Sequence, residues 1–268
     1  MISYGTAAKI EFIVDDNPLY VLPFFEEFLE HYDHVFPISR ISLCPPMGKR
    51  SRQELFKQLR ALYGSMGILR ILTRLLRARV FGLLPRRRRA RRYNTLRQLC
   101  KAYDIPCGRI GNPNQLAYRE ALEERAPDLL ISVACPYILK APVLSIPPMG
   151  CINIHHAPLP KYKGMMPTFW QLFHNEKSVG VTVHYMDEAV DEGKALLQEQ
   201  MMIEPNESLD HLITRAKRHG AHCMARVLDR VLNGKDEFIT LDETESSYFT
   251  FPTIEQMRDF RKRGLRVL

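Results

Sequence analysis

The sequence predicts a doubly wound α/β fold with a mostly parallel sheet, a basic helical insertion and a helical C-terminal tail. Three observations support this. Short β-branched and apolar runs alternate with stretches of helical period along most of the 268 residues. One run, Leu129 to Ala134, is apolar almost throughout, as suits a central parallel strand buried on both faces. Another, Met149 to Ile154, carries the amide of Asn153 and runs out into His155, His156 and the rigid Pro158-Leu159-Pro160. Open α/β sheets keep their chemistry at such carboxyl ends.

In chain order, Lys9 to Val14 reads as the first strand. Asp15-Asp16-Asn17-Pro18 then supplies a helix start for the apolar positions from Val21 to Leu29. His34 to Leu43 reads as the second strand, closed by Pro45-Pro46. Arg52 to Arg79 has helical period, with Leu55, Leu59 and Leu62 on one side of a break near Gly64-Ser65-Met66-Gly67. Tyr93 to Tyr103 reads as helix, Ile105 to Ile110 as a short strand, and Asn112-Pro113-Asn114 as the start of a helix reaching about Glu124. Pro167 to His174 predicts a helix with Trp170 turned inward. Val179 to Met186 and Lys194 to Ile203 predict a hairpin around the acidic loop Asp187 to Gly193. Ser208 opens a long helix from Leu209 to Leu232 that Asn233-Gly234 ends. The tail carries Tyr248-Phe249-Thr250-Phe251, read as packing aromatics, and a basic helix from Ile254 to Arg263.

Hydrophobic content of 46% and charged content of 25% are those of an ordinary globular domain. Apolar runs stay far short of the roughly 20 residues that cross a bilayer, and no leader precedes Lys9. A cytoplasmic enzyme is the expectation. The six cysteines show no paired spacing, which favours reduced core thiols over disulfides or a zinc site. The net charge of +8 is concentrated in one place. Leu55 to Tyr103 holds no acidic residue and 14 of the 38 Lys and Arg, leaving 24 against 30 Asp and Glu elsewhere, a net of −6. Its densest part is Arg86 to Arg92, six arginines in seven residues. Three readings are open: a solvated loop, a phosphate clamp for a nucleotide-linked or RNA ligand, or attachment to an anionic membrane, since Ile68 to Leu84 is amphipathic.

Asn153 and His155 lie two apart, so on an extended backbone both side chains face the same way. An amide donor beside an imidazole can polarise a carbonyl and move a proton. A carboxylate from the acidic loop, where Asp191 sits, could orient that imidazole. His156, His174 and His184 read as structural, with His156 adjoining the site. Met165 and Met166 read as packing or as the border of a substrate channel.

Taken together, Asn153-Ile154-His155, Leu159-Pro160-Lys161-Tyr162-Lys163-Gly164, Gly180-Val181-Thr182-Val183-His184 and Val190-Asp191-Glu192-Gly193 resemble the folate-dependent formyltransferases. The resemblance is strong from about Asp128 to Gln200. It implies a formyltransferase-like catalytic domain over 1–240 with a basic insertion at about 48–92, and a tail over 241–268. It implies 10-formyltetrahydrofolate as co-substrate, a primary amine as acceptor, no metal, and a catalytic triad of Asn153, His155 and Asp191. Asn153 would donate to the developing oxyanion, His155 would donate to it or relay the amine proton, and Asp191 would hold His155. Tyr137, Ile138, Leu139, Glu188, Ala189 and Val190 match folate-binding positions. Lys163 stands where many members have arginine. Members that act on methionyl-tRNA carry a C-terminal β-barrel, for which no residues follow Leu268. The expected acceptor is therefore a nucleotide-linked amino sugar. Methionyl-tRNA, another small amine and water (hydrolysis) are the alternatives, with an idle folate- or nucleic-acid-binding module the non-enzyme rival. The exposed insertion could also serve a homodimer contact.

Overall fold

The computed structural model describes residues 8–17, 19–45, 52–90 and 92–268. Pro18, Pro46, Arg91, the first residues of the insertion at 48–51 and the side chain of Leu55 lie outside the described residues. Seven strands form one sheet in the order β3-β2-β1-β4-β5-β7-β8. These are β1 (Ile10–Asp15), β2 (Ile38–Cys44), β3 (Cys107–Arg109), β4 (Leu129–Val133), β5 (Cys151–His155), β7 (Ser178–Tyr185) and β8 (Ala195–Met202). The first five run parallel, and β7 and β8 add antiparallel beyond β5. The chain lays β2 and β3 on one side of β1 and β4 and β5 on the other. The carboxyl ends of β1 and β4 are thus a topological switch point, where such sheets open a crevice.

Strand alternation assigns the two faces of the sheet. Phe12, Val14, Ile131, Val133, Ile152 and Ile154 pack against α1 (Leu22–Tyr32), α3 (Leu96–Ala102) and α7 (Leu209–Leu232). Ile13, Leu130 and Cys151 face the other way, against Tyr118 and Leu122 of α4 (Leu116–Arg125) and Val143 of α5 (Ala141–Leu144). Asn153 and His155 share the parity of Cys151, so they sit on this second face, at the strand end where the apolar packing gives way.

A third apolar cluster joins α6 (Pro167–Phe173), the start of α7, and α8 (Ile254–Lys262). Phe260 is fully buried and stacks on Phe169 at 4.8 Å. The insertion folds onto the same cluster. Its helix α2 (Arg52–Phe81) breaks at Gly64, where φ is 65° and ψ 178°. Ala61 and Leu62 pack near α8, Tyr63 shares a hydrogen bond with Tyr20 at 2.9 Å, and Arg74 donates to Asp210 at 2.8 Å. The tail also adds a short strand, β9 (Tyr248–Phe249), parallel to β6 (Lys163–Gly164). Phe249 stacks on Trp170 at 4.8 Å, the packing role expected of the tail aromatics.

Three boundaries differ from expectation for local reasons. Asp15 to Asn17 does not start α1, because Asn17 Oδ1 takes the Leu19 N–H at 2.9 Å in a turn of its own. The helix begins at Leu22, with Pro23 in its first turn. Tyr93 and Asn94 precede α3 instead of belonging to it, since Thr95 caps the helix and accepts from Gln98 N. His34 lies in the turn that closes α1, before β2. The described arginines of the run, Arg86 to Arg89 and Arg92, are exposed and outside any helix or strand, and the loop is pinned by Tyr93 Oη donating to Arg87 O at 2.8 Å and by an Arg88–Asp33 ion pair. Among the described residues, no helix is long and apolar enough to cross a membrane.

Phe260→Ala should lower the unfolding free energy by about 3–5 kcal/mol, read from urea denaturation. A cost below about 1 kcal/mol would mean that the tail lies outside the cooperative unit.

Candidate active site

The crevice at the switch point is a cavity of about 430 Å³. Its walls include Asp15 from the end of β1, Ala134 to Leu139 after β4, Asn153 to His156 at the end of β5, and Ala189 to Asp191 after β7. A larger hollow of about 650 Å³ between β8 and α7, mostly apolar, shares no residue with it.

The antiparallel pairing of β5 with β7 sets Asn153 directly opposite His184. His184 Nδ1 lies 2.7 Å from Tyr185 O, a carbonyl that can only accept, so the proton is on Nδ1 and Nε2 is a bare acceptor. The Asn153 amide donates one N–H to that nitrogen at 3.1 Å. Its second N–H remains for the cavity. Burial pushes His184 down to about 4, so it is neutral at pH 7. Asp191 Oδ1 is 3.7 Å from the same Nε2 and forms no ion pair with the neutral ring.

His155 is fixed in the opposite sense. Its Nε2 lies 2.8 Å from Tyr162 O and must donate to it, which leaves the Nδ1 lone pair facing Asp191 and the cavity. Asp191 Oδ2 faces Nδ1 at 3.5 Å and also accepts the Gly164 N–H at 2.8 Å. The arrangement can therefore hold a proton at Nδ1 beside a carboxylate already oriented by the backbone. Gly164 is required here, because at φ 95° an added Cβ would stand 2.3 Å from Phe249 O. Ala134, Tyr162, Met166 and Asp191 all have φ between 52° and 61°. Non-glycine residues held there store strain of order 1–3 kcal/mol each, and such strain gathers at functional sites.

Asn153, His155 and Asp191 are thus brought together. Tyr137, Ile138, Leu139, Ala189 and Val190 line the same cavity, as do Met165 and Met166. Glu188 does not: its carboxylate turns away to accept the Ala141 N–H at 3.2 Å, at the start of α5.

Three further residues belong to the cavity: His184, which reads as structural in the sequence, Asp15, which reads as part of a helix start or of a polar turn near the substrate, and Lys217, which the sequence reading does not single out. The signal for Asp15 was its place at the carboxyl end of β1. That for Lys217 was a lysine within the apolar stripe of α7, beside Leu212, Ala216, Gly220 and Met224. Burial pushes Asp15 up to about 6, Asp16 adding repulsion and Lys217 opposing it. Asp15 Oδ1 is buried without a hydrogen-bond partner. Burial pushes Lys217 down to about 8, and its Nζ lies 3.3 Å from His156 Nδ1.

Among the described residues, two other side-chain groups have ligand-like spacing, Glu199-His219-Cys223 and Glu204-Glu207-His211. Arg226 and Arg215 already occupy them, at 2.5 Å from Glu199 and 2.7 Å from Glu207. Neither group lies on the cavity.

The raised Asp15 gives a signed prediction. Folding penalises its ionised form, so the penalty is absent below pH 3.8 and complete above about 6. That interval corresponds to about 3 kcal/mol, part of which the lost attraction to Lys217 would offset in a variant. Asp15→Asn should therefore stabilise the fold by about 1–2 kcal/mol at pH 8 and leave it unchanged at pH 3.5, read as urea midpoints. Equal midpoints at pH 8 would mean that Asp15 carries no costly buried charge.

Comparison with known proteins agrees with the architecture. The chain is 41% identical over 127 residues to the methionyl-tRNA formyltransferase of Syntrophus aciditrophicus (strain SB), covering 47% of this chain and 41% of that one. It is 34% identical over 153 residues to that of Pelobacter propionicus, covering 57% and 48%. The chain spans less than half the length of these relatives. Among solved structures, it is similar to the N-formyltransferase from Helicobacter canadensis in complex with folinic acid and dTDP-3-aminofucose. The TM-score is 0.57 at 18% identity, over 96% of this chain and 83% of the other. It is also similar to phosphoribosylglycinamide formyltransferase from Streptococcus pneumoniae TIGR4, with TM-score 0.56 and 16% identity over 84% and 98%. At these identities the likeness is one of fold. Residues 87–228, more than half of the chain and including every residue of the Asn153-His155-Asp191 cluster, match the formyl transferase family, and this chain belongs to it.

Proposed function

We propose that the chain transfers a formyl group from 10-formyltetrahydrofolate to the primary amine of a nucleotide-linked amino sugar. The observation that carries the reaction class is the convergence of Asn153, His155 and Asp191 on the switch-point cavity. The cavity's size falls in the range of small-molecule sites, and its mix of apolar walls and few polar groups suits a pterin. The donor supplies an electrophilic formyl carbon. As the amine adds, charge develops on the formyl oxygen, and the second Asn153 N–H is the donor available to it. His155 Nδ1 takes the proton lost by the amine, the Asp191 carboxylate stabilises the resulting imidazolium, and that proton passes to N10 of the donor as the formyl carbon–N10 bond breaks and tetrahydrofolate leaves. Asp15, ionised above about pH 6, offers its orphaned oxygen to the incoming ammonium and takes one of its protons, so that a neutral amine attacks.

The acceptor reading rests on a second cavity, of about 460 Å³, that shares Asp15 with the first. It is lined by Arg79 from α2, Arg97 from α3, Arg109 from β3, and Thr95. Arg109 is paired with Asp16 at 2.6 Å, leaving Arg79 and Arg97 to face an anion. Guanidinium groups around a hollow suit phosphate oxygens. An amine bound near Asp15 with its phosphate in this hollow would reach His155 from the acceptor side. The methionyl-tRNA formyltransferases among the relatives, together with the basic insertion, favour methionyl-tRNA as a second reading.

Turnover of 10-formyltetrahydrofolate, followed as tetrahydrofolate release, should depend on one member of a panel of amino-sugar nucleotides. Release only with methionyl-tRNA would replace the acceptor, and release with water alone would make the enzyme a hydrolase. His155→Ala should lower kcat by about 10²–10⁴ and Asn153→Ala by about 10²–10³, with the fold intact by circular dichroism. Undiminished turnover in His155→Ala would remove the proton-transfer role. Arg97→Ala should raise the acceptor KM about tenfold with kcat nearly unchanged, since the lost contact binds ground and transition states alike.

A further inference from the structure

The insertion helix α2 has two apolar faces, and the protein covers only one of them. Ile71 and Ala78 are buried against the body. At 3.6 residues per turn, Leu69, Leu72, Leu76 and Val80 fall within an arc of about 80° on the opposite side. These four are 56%, 54%, 61% and 53% exposed. Met66, Leu83 and Leu84 are likewise exposed. Arg70 and Arg77 flank the stripe on one side and Arg79 on the other, and the loop beyond the helix presents exposed Arg86, Arg87, Arg89 and Arg92. Apart from Arg79, which also lines the hollow of about 460 Å³, neither the sheet nor the switch-point cavity uses this surface.

We propose that this face docks the protein in the plane of an anionic lipid surface. The argument is charge complementarity joined to apolar burial. The stretch from Leu55 to Tyr103 has no acidic residue, so an occupant must bring negative charge. A second copy would bring the same arginines against these, because a two-fold contact pairs a patch with itself. A nucleic-acid backbone would satisfy the arginines and leave the row of apolar side chains from Leu69 to Val80, about 16 Å long at about 1.5 Å per residue, in water. An anionic bilayer satisfies both. Its headgroup–acyl boundary takes the leucines, and the arginines stretch back to the phosphates. The helix lies along the surface, since no described helix is long and apolar enough to span.

The test is sedimentation of the full chain with vesicles of phosphatidylcholine alone and of phosphatidylcholine mixed with phosphatidylglycerol, at low and high salt. The anionic vesicles should bind at least about tenfold more tightly than the neutral ones, and less so in high salt. The double variant L72E/L76E should lose at least about tenfold in affinity while keeping the parent melting temperature, because both side chains are already in water. Absence of binding to anionic vesicles at low salt would overturn the proposal. So would binding indifferent to L72E/L76E, which would mean simple charge adsorption, or a dimer of the free protein dispersed by the same substitutions, which would assign the stripe to a second copy. None of these readings uses turnover, so the outcome is independent of the proposed formyl transfer.

Discussion

The carboxylate of Asp191 ties together three segments at the mouth of the crevice. Its Oδ2 receives the Gly164 N–H and faces His155 Nδ1, so the loop after β5 and the end of β5 are both referred to one charge. Its position depends in turn on β7, because the acidic loop leaves the sheet from that strand. Adding β7 antiparallel to β5 is what places His184 opposite Asn153 and brings the loop back over His155. Because β7 runs antiparallel, it ends beside the start of β5, with Tyr185 opposite Ile152, and the acidic loop must run back along the sheet to bring Asp191 to His155. The two antiparallel strands are therefore part of the site, not just an extension of the sheet.

Beneath this surface layer lies a group of buried charges with opposing tendencies. Burial drives Asp15 up to about 6 and Lys217 down to about 8, and it drives His156 well below its ordinary value. Near pH 7 the outcome is one negative and one positive group under a neutral histidine. Each of these two charges is less costly because the other is present, while Asp15 Oδ1 still lacks a hydrogen bond. An unsatisfied buried oxygen costs on the order of 1–3 kcal/mol. A fold that keeps it there holds free energy in reserve for whatever ligand completes that oxygen's partners.

The sheet was legible from the sequence because its strands obey two strong rules. Continuous apolar runs become central strands, and alternation decides which side chains share a face. Asn153 and His155 follow from alternation alone, and Asp191 from the acidic loop after a strand. His184 did not follow, since its pairing with Asn153 requires knowing that β7 adjoins β5 and in what register. Asp15 and Lys217 were visible as residues but not as a pair, because they lie more than 200 positions apart and their meaning comes from burial. Glu188 does not line the cavity as its neighbours Ala189 and Val190 do, because the direction of each side chain in an irregular loop cannot be read from alternation. The start of α1 was misplaced because Asn17 spent its side chain on a turn in place of a cap.

The insertion and the tail bear on the site through one continuous set of contacts. Helix α2 packs on α8 through Ala61 and Leu62, α8 packs on α6 through Phe260 and Phe169, and α6 carries Trp170 against Phe249. Phe249 belongs to β9, which pairs with β6 and closes over Gly164. Gly164 then holds Asp191. At each step the partners are buried or hydrogen-bonded, so no link can shift without displacing the next. The central sheet has no such dependence, as its strands are braced from both faces by α1, α3, α4 and α7. Loosening the outer layer would therefore displace Asp191 from His155 while β1, β4 and β5 kept their register. Asn153 would remain in place, and the charge that orients the imidazole would be lost.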